Sequence, residues 1–313
     1  MTWTLMVNEN PCPDECTGSA TDASPVPGKP RARLLGDALI FATDGLANVT
    51  QRQSASLMCA VTDRPLTVQY EGRVVTGQVI SVSPMLRKTL QCDSVPFVLI
   101  DLEPPHGRYT AFSKGPAVGV HVYDRADCPQ LLALSEGFSA GRIVGNDVNR
   151  MVSLAVKEVA SRWPAPAPLD ERVRTMMVLL DEDPSCELEA LGAALGLSAH
   201  HVSRLFARCL GLSVRRYALF SKIRAAATFM GTQSPLTDIA QAAGFVDSAH
   251  FAKVWTQCYG ASPSCFFSPD VLSMDNEALP DWLMWHLSRR DASIPRPAAS
   301  AQSPWIQRRK VAC

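Results

Sequence analysis

The stretch LEALGAALGLSAHHVSRLFARCLG at residues 188–211 recurs in altered form as LTDIAQAAGFVDSAHFAKVWTQCYG at residues 236–260. The two copies align at an offset of 48 residues before an internal turn and 49 residues after it. Self-similarity at one spacing indicates a duplicated structural unit. Each copy runs from a short apolar segment through a glycine and a polar residue to a longer amphipathic segment. The pattern therefore predicts two helix–turn–helix units.

The first copy has the residues that such a unit requires. Leu188, Leu191 and Leu195 share one face of a short helix, and Gly196 ends this helix because glycine adopts a positive φ without strain. Ser198 is a suitable N-cap for the next helix. The apolar stripe of that second helix consists of Val202, Leu205, Phe206 and Cys209.

The second copy repeats this design with different residues. Leu236, Ile239 and Ala243 are apolar, Gly244 turns the chain and Asp247 caps the following helix. The buried stripe of that helix is predicted to consist of Phe251, Val254, Trp255 and Cys258. We expect Phe206 and Trp255 to be core residues rather than base-stacking ones, because both lie on these stripes.

A single helix from Val214 to Met230 is predicted to join the two copies. Its seventeen residues span roughly 26 Å, and the helix diameters at both ends extend the separation toward the ~34 Å of one DNA turn. Two second helices held in this way would reach successive major-groove segments on one face of a duplex.

Residues 169–268 resemble the DNA-binding domain of the AraC/XylS family of bacterial transcription regulators. The resemblance rests on an opening helix, a first-unit motif and a second-unit signature, which are Asp170–Val173, LGLS at 195–198, VSRLF at 202–206, Gly211-Leu-Ser213, Ile239-Ala240, Gly244-Phe245 and GASP at 260–263. Less strongly, residues 99–108 (LIDLEPPHGR) resemble the cupin-like sensory domain that precedes this domain in the family.

The resemblance implies specific DNA contacts. Base-reading positions fall on His200, Ser203 and Arg204 in the first unit and on Ser248, Ala249 and Lys253 in the second. Arginine can bind guanine through two hydrogen bonds, which makes it the most specific of these side chains. The phosphate contacts, which position the protein without specifying sequence, are predicted at Arg208, Arg215, Arg216 and Thr256. Without the repeat, Arg204 and Lys253 would be read as residues of a solvated helix face.

The second unit departs from the family pattern by losing positive charge. It has Lys253 where arginine is usual, and Trp255-Thr256-Gln257 where the family shows Phe-Lys-Arg. The domain ends with SPSCFF at 262–267 in place of Ser-Pro-x-x-Tyr-Arg. We therefore expect the second unit to contribute less to DNA affinity. The adjacent pair His200 and His201 points about 100° apart on a helix and cannot easily chelate one metal ion, so His201 is expected to be partly packed.

The expected fold class is α+β and multidomain, with an N-terminal all-β cupin-like barrel and a C-terminal all-α tandem helix–turn–helix. Residues 31–135 hold short apolar runs between turn residues, which is typical of antiparallel sheets. The predicted strands are Ala38–Phe41, Leu57–Val61, Leu66–Tyr70, Val74–Val82 and Phe97–Leu102. A flexible leader is expected at 1–30, a Pro-Ala linker at 164–168 and a tail at 269–313. A helix at 147–163 is interpreted either as a dimer seam, which two-fold symmetry favours, or as a cap on the barrel.

Composition limits the other possibilities. The 313 residues carry 30 basic and 30 acidic side chains, although residues 185–268 carry seven basic and four acidic ones. No apolar run is long enough to cross a membrane and no signal peptide is recognised, so a cytoplasmic, nucleoid-associated bacterial protein without structural disulfides is expected. No cofactor or metal is predicted: Cys12 with Cys16, and His106 with His121, lack the further ligands that a metal site needs.

The leading functional hypothesis is a sequence-specific, DNA-binding transcription regulator that is not an enzyme. By family analogy it would be an activator that contacts RNA polymerase, respond to a small-molecule effector in the barrel and act as a homodimer. The alternative is an N-terminal small-molecule-binding or enzymatic module whose degenerate DNA-binding domain acts through protein contacts. The sequence contains no nucleophile elbow, P-loop or dinucleotide fingerprint that would favour an enzyme.

Overall fold

A computed structural model describes residues 29–268 and 270–275. The leader and most of the tail, including the basic residues near the C-terminus and the Cys12–Cys16 pair, lie outside the described residues. The strands are β1 (Arg31–Leu34), β2 (Ala38–Thr43), β3 (Val49–Thr50), β4 (Ala55–Ala60), β5 (Leu66–Tyr70), β6 (Arg73–Gly77), β7 (Val79–Val82), β8 (Lys88–Leu90), β9 (Phe97–Leu102), β10 (Val120–Tyr123) and β11 (Ser273–Met274). The α-helices are α1 (Tyr109–Ser113), α2 (Pro129–Ser139), α3 (Asn146–Ala160), α4 (Glu171–Glu182), α5 (Leu188–Leu195), α6 (Ala199–Leu210), α7 (Val214–Ala227), α8 (Leu236–Ala242), α9 (Ser248–Tyr259) and α10 (Ser264–Phe267).

The N-terminal strands form two sheets, and the predicted combination of a sheet-rich first part with a helical second part is confirmed. One sheet has the order β10-β7-β4-β9-β2-β1-β11 and the other the order β3-β8-β5-β6. The described strand pairings do not close the two sheets into one continuous barrel. Buried side chains fill the space between them, among them Met58, Val68, Ile80, Phe97 and Leu99. The interior of the predicted barrel is therefore a packed core.

The periodicity at residues 74–82 predicts one strand, whereas the structure has two that belong to different sheets. β6 pairs with β5, and β7 pairs with β4 and β10. The chain changes sheets at Gly77 and Gln78, where a Cβ on Gly77 would lie 2.5 Å from Val122 and the Gln78 amide donates a hydrogen bond to the carbonyl of Asp63. Apolar residues on both sides of Gly77 predict strand in either case and do not reveal such a crossing.

Two helices that the all-β prediction did not include add to the sheets of this part: α1 lies within residues 31–135, and α2 crosses the end of that range. With α3 they cover the outer face of the seven-stranded sheet, where Phe112, Leu131, Phe138, Val152 and Val159 are buried. The apolar face of α3 is thus occupied within the chain, and Leu154 (41% exposed) is the large apolar residue that this helix leaves to solvent. α3 therefore covers the sheet, which is one of the two roles that the sequence analysis considered for this helix.

The helices of the second part follow the duplicated sequence. α5 and α6 form the first unit, α8 and α9 form the second, and α7 joins them. α7 ends at Ala227, three residues before the predicted end, so its fourteen residues span about 21 Å. The following turn continues to Gly231, which has a φ of +75°.

Both units share apolar cores with the N-terminal part. Tyr109 of α1 is buried in the cluster that contains Leu205, Phe206 and Tyr217 of the first unit. Leu39 of β2 and Ala32 of β1 are buried with Phe251 and Trp255 of the second unit. After α10 the chain returns to the sheet, where β11 pairs in parallel with β1. Residues 164–168 form no helix or strand. The two parts are thus connected by packing and strand pairing as well as by this linker.

A cluster of buried charges lies beneath the second unit. Arg52 forms a buried salt bridge with Asp101, which also accepts a hydrogen bond from Ser56 at 2.8 Å. Lys88 is 3% exposed, and its ammonium group has one hydrogen bond, to the Ser56 hydroxyl at 3.5 Å. Burial without a carboxylate partner, together with the nearby positive charge of Arg52, lowers the pKa of Lys88 to about 7.

Replacement of Leu39 tests whether the two parts unfold together. We expect Leu39→Ala to lower the free energy of unfolding by about 2–5 kcal/mol, because it opens a cavity in the shared core. The matched Leu154→Ala on α3 should change it by less than about 0.5 kcal/mol. Chemical denaturation followed by circular dichroism measures both. A small effect of Leu39→Ala, with the helical signal lost in a separate transition, would contradict the shared core.

The burial of Lys88 predicts a dependence of stability on pH. A pKa lowered in the folded state means that the wild-type protein loses stability as pH falls from the unfolded value near 10.5 to about 7, and no further below that. Lys88→Met should therefore be more stable than wild type at pH 7, and its advantage should shrink as pH rises toward 10. Denaturation at several pH values measures this difference, with Lys157→Met on the exposed face of α3 as control. An advantage that does not change with pH would refute the assignment.

Candidate nucleic-acid interface

The polar residues predicted to read bases in the first unit lie on the outer face of α6. His200 and Arg204 are exposed and Ser203 is half-buried, while Phe206 on the opposite face is fully buried. His201, expected to be partly packed, is also exposed. It lies in the first turn of the helix, where its backbone N–H donates to the Ser198 side chain at 3.3 Å, and it points about 100° away from the buried Val202.

The second unit presents the corresponding positions of α9 in the same way. Ala249, Lys253 and Thr256 are exposed, and Ser248 at the start of the helix is half-buried. Phe251, Val254, Trp255 and Cys258 form the buried stripe, as the sequence predicts. Each unit thus buries one face of its second helix and leaves the predicted reading positions accessible.

The duplication extends to individual hydrogen bonds in the turns. The N–H of Leu197 donates to the carbonyl of Gly192 at 2.9 Å, and the N–H of Phe245 donates to the carbonyl of Ala240 at 2.9 Å. Gly196 and Gly244 have φ values of +66° and +79°. A Cβ on Gly192 would lie 2.4 Å from the carbonyl oxygen of Leu197, so the first turn is tighter than the second, which has Ala240 at the equivalent position.

The second helices of both units begin and end alike. The side chains of Ser198 and Asp247 accept hydrogen bonds from the backbone of the residue three positions later, and so act as N-caps. Gly211 and Gly260 end the helices with φ values of +78° and +77°. Because the helix boundaries and turns correspond, the reading positions of the two units are equivalent in their local geometry.

Positive charge is concentrated in the first unit and at the start of α7, which follows it. Arg204, Arg208, Arg215 and Arg216 are all exposed, the last two in the first turn of α7 after the N-cap Ser213. In α8 and α9 the basic side chain is Lys253, accompanied by the acidic residues Asp238 and Asp247. A polyanion would therefore be attracted more strongly to the first unit than to the second.

The structure also reveals contacts to both second helices that sequence reasoning missed. The Ser113 hydroxyl donates to the carbonyl of Leu210 at 2.9 Å, and the Lys114 ammonium donates to the carbonyl of Arg208 at 2.8 Å, both at the end of α6. At the end of α9, the backbone N–H of Gln51 donates to the carbonyl of Gln257 at 2.9 Å. Arg52 donates to the carbonyl of Cys258 at 3.0 Å. No local sequence pattern indicates pairs that are so distant along the chain.

Arg224 connects α7 to the sheet. The sequence places it among apolar residues on this helix, and the structure explains why: its guanidinium forms a salt bridge with Glu103 and donates to the carbonyls of Leu35 and Ala38. Burial raises the pKa of Glu103 to about 7, while the charge of Arg224 opposes this shift. A cavity of about 20 Å³ lies here, lined by Arg52, Asp101, Glu103, Arg224 and Tyr259 among others.

The described part of the chain contains few groups that could form a metal site or a membrane span. No three or more His, Cys, Asp and Glu side chains are grouped there so that they could hold a metal ion. The ring of His106 accepts a hydrogen bond from the N–H of Arg108 at 3.0 Å, and His121 packs edge-on against Trp163. Among the helices of residues 29–275 that the structure describes, none has the length and apolar character of a membrane span.

Comparison with known proteins finds similarity for the helical part of the chain. A family profile described as a helix-turn-helix domain matches residues 191–268. The arabinose operon regulatory protein of Escherichia coli is 30% identical over 103 residues, which are 32% of this chain and 35% of that protein. The match thus spans about a third of the length of this curated relative and falls short of the whole protein.

Similarity to solved structures covers most of the chain and concerns the fold. An apo ToxT variant from Vibrio cholerae strain SCE256 superimposes with a TM-score of 0.54 at 10% identity, covering 74% of this chain and 96% of that chain. Wild-type ToxT of the same strain, solved with an unsaturated fatty acid bound, gives a TM-score of 0.51 at 11% identity and covers 74% and 94% of the two chains. The described sheets and helices therefore share the fold of ToxT, and residues 191–268 correspond to the helix-turn-helix domain of the family profile.

Proposed function

We propose that the protein is a transcription regulator that binds double-stranded DNA through both helix–turn–helix units. The observation that supports this most directly is the pair of equivalent second helices, α6 and α9, each with a buried apolar stripe and an accessible polar one. An α-helix with polar side chains on its outer face fits the major groove of B-DNA. Two such helices, linked by α7, allow a duplex to be bound at two successive positions.

The first unit carries most of the proposed affinity and specificity. Arg204 would read guanine, with His200 and Ser203 as adaptable partners on the same face of α6. Exposed Arg208, Arg215 and Arg216 would bind phosphates on either side of the groove. In the second unit Ser248, Ala249 and Lys253 would read bases and Thr256 would bind a phosphate, with only one positive charge to support them.

The regulatory step would follow from DNA binding without covalent chemistry. Phosphate contacts supply affinity, base contacts select the promoter, and the bound protein then contacts RNA polymerase, by analogy with other members of the family. A homodimer would double the DNA interface. Because α3 packs on the sheet, a dimer formed through it would have to use the mostly polar outer face that carries Leu154.

Substitution of the reading residues tests this function. The full chain would first select its sites from a library of random double-stranded DNA, and the affinity for the selected site would then be measured by fluorescence anisotropy. We expect Arg204→Ala to cost about 1–3 kcal/mol and to relax selection at one base position. Lys253→Ala should cost less, since the second unit is poor in positive charge.

Arg150→Ala, on the exposed face of α3, is the control for a lost positive charge. Arg208→Ala should weaken binding about equally for all sequences and reduce the salt slope by about one unit. Selection of no sequence by the wild-type protein would contradict the proposed function and favour the alternative, a protein that acts through protein contacts.

We further propose that an acidic small molecule binds between the two parts of the chain. The comparison structure of ToxT contains an unsaturated fatty acid. In this chain two guanidinium groups, Arg52 and Arg224, line the cavity between sheet and helices, each paired with a carboxylate. The cavity of about 20 Å³ holds about one water molecule, so a ligand would have to open the interface and replace Asp101 or Glu103 as the anionic partner.

Oleate, a cis-unsaturated fatty acid, is a suitable probe for this site. We expect it to bind saturably to the wild-type protein in isothermal titration calorimetry and to bind at least about tenfold more weakly to Arg224→Met, because an ion pair to the carboxylate is lost. Arg150→Met is the matched control. Equal binding to all three proteins would contradict a site at Arg224.

A further inference from the structure

The carbonyl groups at the C-termini of both recognition helices, α6 and α9, are bound by residues from the N-terminal part of the chain. The last carbonyls of an α-helix have no partner within the helix and usually bind water or a capping residue. Here the donors are Ser113 and Lys114 for α6, and Gln51 and Arg52 for α9. We call these four residues the clamp. Their partners lie 94 to 206 positions away in sequence.

The two halves of the clamp are connected to each other. Tyr109 is buried in the core of the first unit, and its hydroxyl donates to the carbonyl of Gln53 at 2.8 Å. Gln53 follows directly after the clamp residues that bind α9, and its side chain accepts a hydrogen bond from the Cys258 thiol at 3.6 Å. A short path of buried hydrogen bonds and packed side chains therefore leads from α6 through α1 and residues 51–53 to α9.

Within the helical part itself, the link between the two units is weaker. The buried residues of the first unit and those of the second belong to separate apolar clusters, and α7 contributes to both. Besides this fourteen-residue helix, each unit is held to the N-terminal part by the apolar core that it shares with it. The clamp adds a further connection between the units. It is made at the C-terminal ends of the recognition helices.

We infer that Ser113, Lys114, Gln51 and Arg52 are positioning residues that fix the separation and angle of the two recognition helices, and thereby the spacing of the two DNA half-sites that the protein accepts. This inference rests on the proposed DNA-binding function. Each base pair inserted between half-sites moves the second one by about 3.4 Å along the DNA and rotates it by about 35°. A rigidly held pair of helices cannot follow such a shift, whereas a pair held by α7 and by non-directional apolar packing alone can reorient.

The test compares half-site spacing profiles. After the wild-type protein has selected a site from random double-stranded DNA, affinities are measured for that site and for versions with one, two or three base pairs inserted or removed between the half-sites. The variants are Ser113→Ala/Lys114→Met, which removes both bonds to α6, and Tyr109→Phe, which removes the bond between the halves of the clamp. The matched control is Ser153→Ala/Lys157→Met on the exposed face of α3.

We expect the wild-type protein and the control to lose about tenfold or more in affinity when two base pairs are inserted. The clamp variants should lose less than about threefold on the same insertion, since their second unit can reorient. Melting temperatures close to that of the wild-type protein would establish that the variants are folded, which is expected because Ser113 and Lys114 lie near the surface and Phe fills the space of Tyr109.

Two results would overturn the inference. The first is a spacing profile that is identical in the wild-type protein and the clamp variants. The second is a loss of affinity in Ser113→Ala/Lys114→Met that is uniform at all spacings and accompanied by a salt slope lower by about one unit, which would make Lys114 a phosphate contact. If the wild-type protein selects no sequence at all, the proposed function fails as well, so the two failures are distinguishable.

Discussion

Burial of one apolar stripe on each recognition helix determines where the polar side chains of that helix point. In α6 the burial of Val202, Leu205 and Phe206 leaves Arg204 exposed, and in α9 the burial of Phe251 and Trp255 leaves Lys253 exposed. A rotation of either helix by one residue, about 100°, would place a charged group in the core at a cost of several kcal/mol. The orientation of the proposed reading surface is therefore fixed by the hydrophobic effect, and hydrogen bonds in the turns refine it.

The apolar cores of the two units extend into the N-terminal part, which makes that part a structural component of the proposed DNA-binding surface. Tyr109 completes the first core and Leu39 the second. Any molecule that changes the packing between sheet and helices would then change the positions of α6 and α9 relative to each other. The buried pairs Arg52–Asp101 and Arg224–Glu103 lie at this boundary, where a change in protonation or a competing anion would weaken the contact between the parts.

The sequence was most informative where structure is determined locally. The apolar periodicity, the turn glycines Gly196 and Gly244 and the caps Ser198 and Asp247 predicted the helix–turn–helix units to within a residue, because each of these features acts over only a few positions. The strands β5 and β9 were predicted with their observed boundaries for the same reason. Long-range contacts left no such signal: the switch between sheets at Gln78, the pairing of β11 with β1 and the bonds from Lys114 and Arg52 join residues that are distant in sequence. The reading residues themselves follow from family resemblance and exposure, and their roles remain predictions.

The central claim is that the two units bind one face of a DNA duplex at successive major-groove segments. Hydroxyl-radical footprinting of the full chain on its selected site tests this claim most directly. We predict two protected patches on each strand whose centres are about 10 base pairs apart, with the stronger protection at the arginine-rich first unit. A single patch, or two patches on opposite faces of the duplex, would contradict the account.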